Sequence, residues 1–236
     1  MSTANNNYKK ILADLRHSLM SVDIDTIKYS DSVSELPVSD IVKLDWKNIL
    51  TPPPKNSSKK TFSEIQYIYE SIKRQRTETW EKKLLRIDSD PGVEIFDLLD
   101  SKKLNFPYQY LKMFYNITRP ILLNIKQLYN RPRPQTIGNI YGIELEVIET
   151  ETHHTPSYPS GHTFYTSLAA NIAKSIHPSL SLEFDGIVKN TETARVLQGV
   201  HYPSDNAASV DLSTILFNGL HPLLQKESQW TDFTKS

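Results

Sequence analysis

Residues 157–176 read SYPSGHTFYTSLAANIAKSI, and the pattern in this stretch decides the class of fold. Phe164, Leu168, Ile172 and Ile176 recur every four residues and share one face of a helix running from His162 to Ile176. Pro178 lies just beyond its end, and Pro159-Ser160-Gly161 forms the loop that enters it. The same periodicity extends outward in both directions. Phe62, Ile65, Tyr69 and Ile72 predict a helix from about Thr61, with Ser63-Glu64 as its start and Asn56 to Lys60 as loop. Shorter helices are expected over Trp80 to Leu85 and Val93 to Leu99. Tyr108 to Tyr129 reads as a helix kinked or split at Pro120, because proline removes a backbone donor. Leu182 to Leu197 is another helix, and Asp205 to Leu220 a last one with Ala208, Leu212, Ile215 and Leu216 inward. Sustained alternation is scarce, so few strands are expected.

The 236 residues carry 38% apolar and 23% charged side chains, the balance of a soluble globular chain. Lysine plus arginine and aspartate plus glutamate both number 27, so bulk charge gives no reason to expect a nucleic-acid polymer as partner. There is no cysteine, which excludes disulfides, thiolate catalysis and cysteine-based zinc sites. Apolar runs stop after a few residues, far short of the roughly 20 needed to span a bilayer. The N-terminus lacks the apolar core of a secretory signal, so the chain reads as soluble and cytoplasmic, with periplasmic or extracellular placement left open. A homo-oligomer stays open as well. Leu50-Thr51-Pro52-Pro53-Pro54 must run extended. A boundary there separates residues 1–48, an extension of unassigned role with a short helix over Tyr8 to Leu19, from a catalytic domain at 49–236.

Three segments carry chemistry. Lys126 is followed after six residues by Arg133-Pro134; Pro159-Ser160-Gly161-His162 opens a helix; Arg195 precedes His201 by six positions, and Asp205 follows four later. Phosphoryl transfer spreads charge over three equatorial oxygens, with nucleophile and leaving group in line. Lys126, Arg133 and Arg195 supply three cations for those oxygens, and the turn at Ser160 and Gly161 offers helix N-terminal N–H groups. Asp205 can accept the Nδ1–H of His201, leaving Nε2 to attack phosphorus, while His162 can protonate the leaving oxygen. Taken singly, each feature has a plainer reading: a lone cation is usually solvated, PSGH is a capped turn, and a His-x3-Asp pair is a surface helix contact. His153 and His154 could line a substrate mouth but read better as solvent-exposed loop. Tyr129 and Tyr158 could stack on a substrate ring, yet packing is the plainer role. His17, His177 and His221 suggest no catalytic part.

Together the segments resemble the signature of the phosphatidic acid phosphatase type 2 and vanadate haloperoxidase superfamily. Ten specified residues at about 5% each, over about two million ordered placements, leave a chance match on the order of 10⁻⁷. Ser157 to Thr163 and the proline run at 52–54 look most like the soluble class A bacterial non-specific acid phosphatases, and the resemblance covers residues 50–222. It implies an all-α fold, a compact helical bundle whose three motifs meet at one phosphate pocket. Lys126, Arg133, Ser160, Gly161 and Arg195 would bind phosphate, His201 would be the nucleophile, Asp205 its orienter and His162 the general acid. No cofactor or metal is implied, although vanadate can occupy the same pocket as phosphate. The expected activity is metal-independent hydrolysis of small phosphomonoesters through a phosphohistidine.

Two departures stand out. Ala194 replaces the serine that usually precedes the arginine, and the export signal common in the bacterial enzymes is not visible. The alternatives are a lipid-phosphate or diphosphate phosphatase, whose relatives usually carry several membrane spans, and a vanadate-dependent haloperoxidase. Only 24 residues separate Pro134 from Pro159, a narrower gap than haloperoxidases show. A non-catalytic phosphate-binding module is disfavoured because both reactive histidines are present.

Overall fold

The computed structural model describes residues 49–150 and 154–224. The expected extension at 1–48, with its helix and His17, lies outside the described residues, as does His153. Eight α-helices can be followed from Lys59 to Leu224, and no strand occurs among the described residues, so the fold is all-α as expected.

Helix α1 spans Lys59–Gln75, and its start differs from the expected one. Ser58 is the N-cap, its Oγ accepting the Thr61 N–H at 3.1 Å, so the segment expected as loop is already the first turn. The consequence is that Glu64 lies inside α1 on its buried side, while Tyr69 is only partly buried. Phe62, Ile65, Ile68 and Ile72 pack there against Ile137, Tyr141, Val196 and Tyr202. Helix α2, Glu78–Ser89, is capped by Thr77 and runs past the expected end at Leu85, which brings Ile87 and Asp88 into the interior.

Helix α3 covers Val93–Ser101 and α4 covers Tyr108–Tyr129. Of the two outcomes expected at Pro120, a split does not occur, and α4 runs unbroken through it. Pro120 and Asn116 both lie on the exposed side, where water can solvate the carbonyl that proline leaves unbonded. Helix α5, Pro134–Ile140, was not anticipated: its seven residues are too few to show a period, and only Pro134 at its first position signals it.

Helix α6, Gly161–Ile176, is the centre of the molecule. It lies against α7 (Ser181–Leu197) and α8 (Pro203–Leu224), with a 3₁₀ turn at Pro178–Leu180 between α6 and α7. Phe164, Leu168 and Ile172 are fully buried among Leu111, Phe114, Phe184 and Leu212, and the small Ala169, Ala170 and Ala173 fill out the same cluster. Truncating Phe164 to alanine there should cost about 3–5 kcal/mol. On α8 the inward face is Ala208, Leu212, Leu216 and Phe217, whose ring lies 5.9 Å from that of Phe114; the expected Ile215 is 39% exposed. Ile215 sits one residue, about 100° of rotation, away from Leu216 and so turns toward solvent. No helix of the described residues is long and apolar enough to cross a membrane.

Candidate active site

The spacing of each motif follows from how a helix ends or begins. Lys126 lies in the last turn of α4, which closes on Asn130 in the left-handed conformation, its N–H bonded to Lys126 O at 2.8 Å. Arg131 to Arg133 then form the link to α5, with Arg133 in extended conformation as its N-cap and Pro134 at the first helical position. Six intervening residues are what this reversal needs to bring Lys126 and Arg133 to one loop. Lys126 Nζ donates to Pro156 O at 2.6 Å and Arg133 Nε to Thr155 O at 2.9 Å, so both cations grip the strand of loop leading into PSGH.

Ser160 caps α6, with its hydroxyl facing Thr163 and its own N–H donated to Asp205 O at 3.3 Å. These contacts fix the turn, and the N–H groups that can face an anion are those of the first turn, beginning with Gly161. A Cβ at Gly161 would meet only Leu122 Cδ2, at 4.0 Å, so the fold itself does not demand glycine here.

The third motif is built by two caps. Helix α7 ends in a Schellman motif: Gly199, at φ +80°, bonds Val196 O at 2.9 Å, and Val200 N–H bonds Arg195 O at 3.3 Å. This turn carries the chain from Arg195, in the last turn of α7, back to His201. Helix α8 then opens with Pro203, and Asp205 in its first turn reaches back to accept the Tyr202 N–H at 3.0 Å, one half of a capping box. The same Oδ2 lies 3.3 Å from His201 Nδ1 and also accepts the Ser157 hydroxyl.

His201 and Asp205 are buried, and the ring of His201 is held at both ends. Arg133 Nη1 donates to Nε2 at 2.9 Å and to Val200 O at 2.8 Å. A guanidinium can only donate, so Nε2 carries the lone pair and the ring proton sits on Nδ1 facing Asp205. Burial, then the positive charge of Arg133, pushes the His201 imidazolium well below the ordinary histidine range. Burial tends to raise the Asp205 carboxyl, yet Arg131, with His201 and Ser157, holds it below the usual carboxylate range. Lys126 is pushed well below an ordinary lysine by burial and by the charges of Arg133 and Arg195. Arg195 is 1% exposed, and its Nε and Nη2 have no hydrogen-bond partner among the described residues. Three buried cations with two undirected donors form a cluster electrostatically short of negative charge, suited to a polyvalent anion.

His162 stands at the second position of α6 and feels the charges of Arg195 and Lys126. Its Nε2 is 2.9 Å from Asp88 O and 3.5 Å from Asp88 Oδ1. Burial, with the charge of Arg195, pushes it down to about 3.

Two acidic residues and one basic residue of the site escaped the sequence reading. Asp88 accepts from Arg195 Nη1 at 2.5 Å, and Gln198 shares the contact. Arg131 bonds Asp205 Oδ1 and pairs with the buried Glu64. Arg131 stood inside the quoted motif, but Asp88 and Glu64 are single carboxylates on amphipathic helices. Among the other candidates, Tyr129 and Tyr158 pack edge to face on each other, 5.1 Å apart, and Tyr158 OH donates to Thr51 O. Ala194 is buried with Leu84, Ile87 and Leu197, so a methyl in the core stands where serine was expected. His177 bonds Asn105 O and His221 stacks on Phe217, both away from the motif residues. His154 lines a cleft of about 190 Å³ that opens beside Arg133. No group of three or more metal-ligating side chains occurs among the described residues.

Among solved structures the chain is similar to one described as the first transmembrane PAP2 type phosphatidylglycerolphosphate phosphatase from Bacillus subtilis. The two are 14% identical with a TM-score of 0.51, over 97% of this chain and 99% of that one, a likeness of fold. No curated protein matches the chain. A model of the PAP2 superfamily matches residues 108–229, a stretch that takes in all three motifs and more than half of the sequence. The chain belongs to the PAP2 superfamily.

Proposed function

We propose that this protein is a metal-independent phosphatase that hydrolyses small phosphomonoesters through a phosphohistidine on His201, in the manner of the soluble bacterial acid phosphatases. The observation that carries the reading is the polarity of the His201 ring: Nδ1–H toward Asp205, and a lone pair on Nε2 facing Arg133. A phosphoryl group held by Arg133, Lys126 and Arg195 takes up the donors of Arg133 and leaves Nε2 facing phosphorus. Nε2 attacks, the P–N bond forms as the bond to the ester oxygen breaks, and the leaving oxygen receives a proton from His162. Water, deprotonated by neutral His162, then cleaves the P–N bond and releases phosphate.

The lowered affinity of His162 for protons defines when it can act. With the protein's own charges it is neutral above about 3, so it gains a proton only beside the negative charge of the substrate. A phosphomonoester whose second pKa is about 6 can carry that proton in as its monoanion. Activity is thereby directed to acid pH.

The test is a phosphate-release screen over nucleotides, sugar phosphates and aryl phosphates, with phosphatidate and diphosphates in micelles alongside, for wild type and His201→Ala. Turnover of soluble monoesters that vanishes in His201→Ala supports the reading. Turnover confined to lipid phosphates moves the substrate class to lipids, and turnover that survives in His201→Ala sinks the mechanism.

A further inference from the structure

Arg131 is 2% exposed and lies over the ring of Tyr202, its guanidinium carbon 3.7 Å from the centroid. Its Nη1 donates to Asp205 Oδ1 at 2.5 Å and to Ser204 Oγ at 2.9 Å, and Nη2 reaches Glu64 Oε2 at 3.4 Å. Glu64, 3% exposed and carried by α1, accepts the Ser204 N–H at 2.8 Å and the Ser204 hydroxyl at 2.9 Å. Glu64, Arg131, Asp205 and His201 thus form a buried series in which charge alternates along the line leading to the imidazole. Simple adhesion accounts poorly for it, because desolvating such ions costs several kcal/mol each and packed apolar side chains would join α1 to α8 as well.

We propose that Glu64 and Arg131 are positioning residues for the phosphoryl transfer, a buried pair that fixes the Asp205 carboxylate and through it the proton on His201. The proposal deepens the phosphatase reading and rests on His201 being the nucleophile. Arg131 takes Oδ1, so the carboxylate cannot rotate, and Oδ2 is left for His201 Nδ1, the Tyr202 N–H and the Ser157 hydroxyl. The two charges balance each other at His201. Arg131 offsets part of the Asp205 field at His201, which keeps Nε2 unprotonated in the acid range where the substrate is a monoanion. Glu64 offsets part of Arg131, so enough negative field remains to stabilise the imidazolium formed during transfer. The other charged groups facing His201 are the cations Arg133 and Lys126, which the variants below leave in place.

The experiment combines kinetics with an NMR titration of the His201 Cε1–H in the full chain. Arg131→Met is expected to raise the pH at which His201 titrates and to move the acid limb of kcat/KM upward with it. Glu64→Gln, which removes the charge and keeps an oxygen for the Ser204 N–H, should lower kcat about 10-fold to 100-fold at nearly constant KM, without raising the His201 titration. Arg131→Lys restores the charge without the fork, returning the titration toward wild type while kcat stays low. Since Arg131→Met strands Glu64 in the interior, the double variant Glu64→Gln/Arg131→Met is measured beside it and should show a smaller upward shift. Unchanged kcat in Glu64→Gln, or a His201 titration that loss of the Arg131 charge does not move, overturns the proposal. If wild type releases no phosphate from any ester, the phosphatase reading falls, while the titration still decides the role of the pair.

Discussion

Arg133 Nη1 lies 2.9 Å from Nε2 of His201, a cation set against the nitrogen read as the nucleophile. The contact has two effects. It holds the imidazole unprotonated at Nε2, and under the proposed mechanism it sets a directed donor beside the phosphoryl oxygens as phosphorus meets that nitrogen. Arg133→Lys keeps a charge but loses the planar fork that also bonds Thr155 O and Val200 O. Steady-state kinetics on an aryl phosphate should show kcat/KM reduced about 10²-fold or more, the scale for losing one directed transition-state donor. A change of less than threefold would mean that Arg133 serves the loop and not the phosphoryl group.

Gly161 separates folding from binding. A methyl there has room in the protein, and alanine favours a helix over glycine by about 1 kcal/mol. Gly161→Ala should therefore keep or slightly raise the Tm. Inhibition by phosphate and vanadate should weaken about tenfold if the oxyanion approaches this backbone closely, a loss on the scale of one hydrogen bond. Equal inhibition constants would place the anion elsewhere.

The proton supply is open to a leaving-group test. His162→Ala should depress turnover of alkyl phosphates far more than that of nitrophenyl phosphate, whose oxygen leaves without help. In wild type the alkaline limb of kcat/KM should follow the second ionisation of each substrate, because His162 on its own is pushed down to about 3. A limb fixed at one pH for substrates of different second pKa would assign the proton to a protein group.

Stability should fall on acidification. Unfolded histidine titrates near 6.5, whereas folded His162 and His201 are both shifted below that value by burial. Below about pH 6.5 the unfolded chain therefore binds more protons, and stability is lost progressively toward the lower folded values. Urea unfolding at pH 7.5 and 5.0 should show the drop, and His162→Gln should lessen it. An unchanged midpoint between the two would contradict the burial assigned to these rings.

Much of this site was legible because its residues lie at helix ends, where spacing is fixed by capping geometry. Arg195-x5-His201 is a Schellman turn followed by a link, and His201-x3-Asp205 is one half of a capping box. Long amphipathic helices such as α6 were equally legible. What the sequence could not show is burial decided by remote partners. Asp88 meets Arg195 across 107 positions and Glu64 meets Arg131 across 67, and neither acid has local spacing that sets it apart from a solvated residue. The misplaced start of α1 had the same root, since Ser58 and Ser63 are both fair caps and only the packing of Phe62, Ile65 and Ile68 selects the first. Breaking the Asp88 pair with Asp88→Asn should cost about 3–5 kcal/mol in urea unfolding; a cost under 1 kcal/mol would show that Arg195 is held by Gln198 and packing instead.

The claim that phosphorus passes through His201 has one direct readout. Wild type mixed with a fast aryl phosphate, quenched in alkali within one turnover, should carry a single phosphoryl group on the peptide containing His201, stable to base and lost in acid. His201→Ala, folded by circular dichroism, should carry none and release no phosphate. A phosphoryl group found on another residue, or steady turnover by the folded alanine variant, would contradict the account.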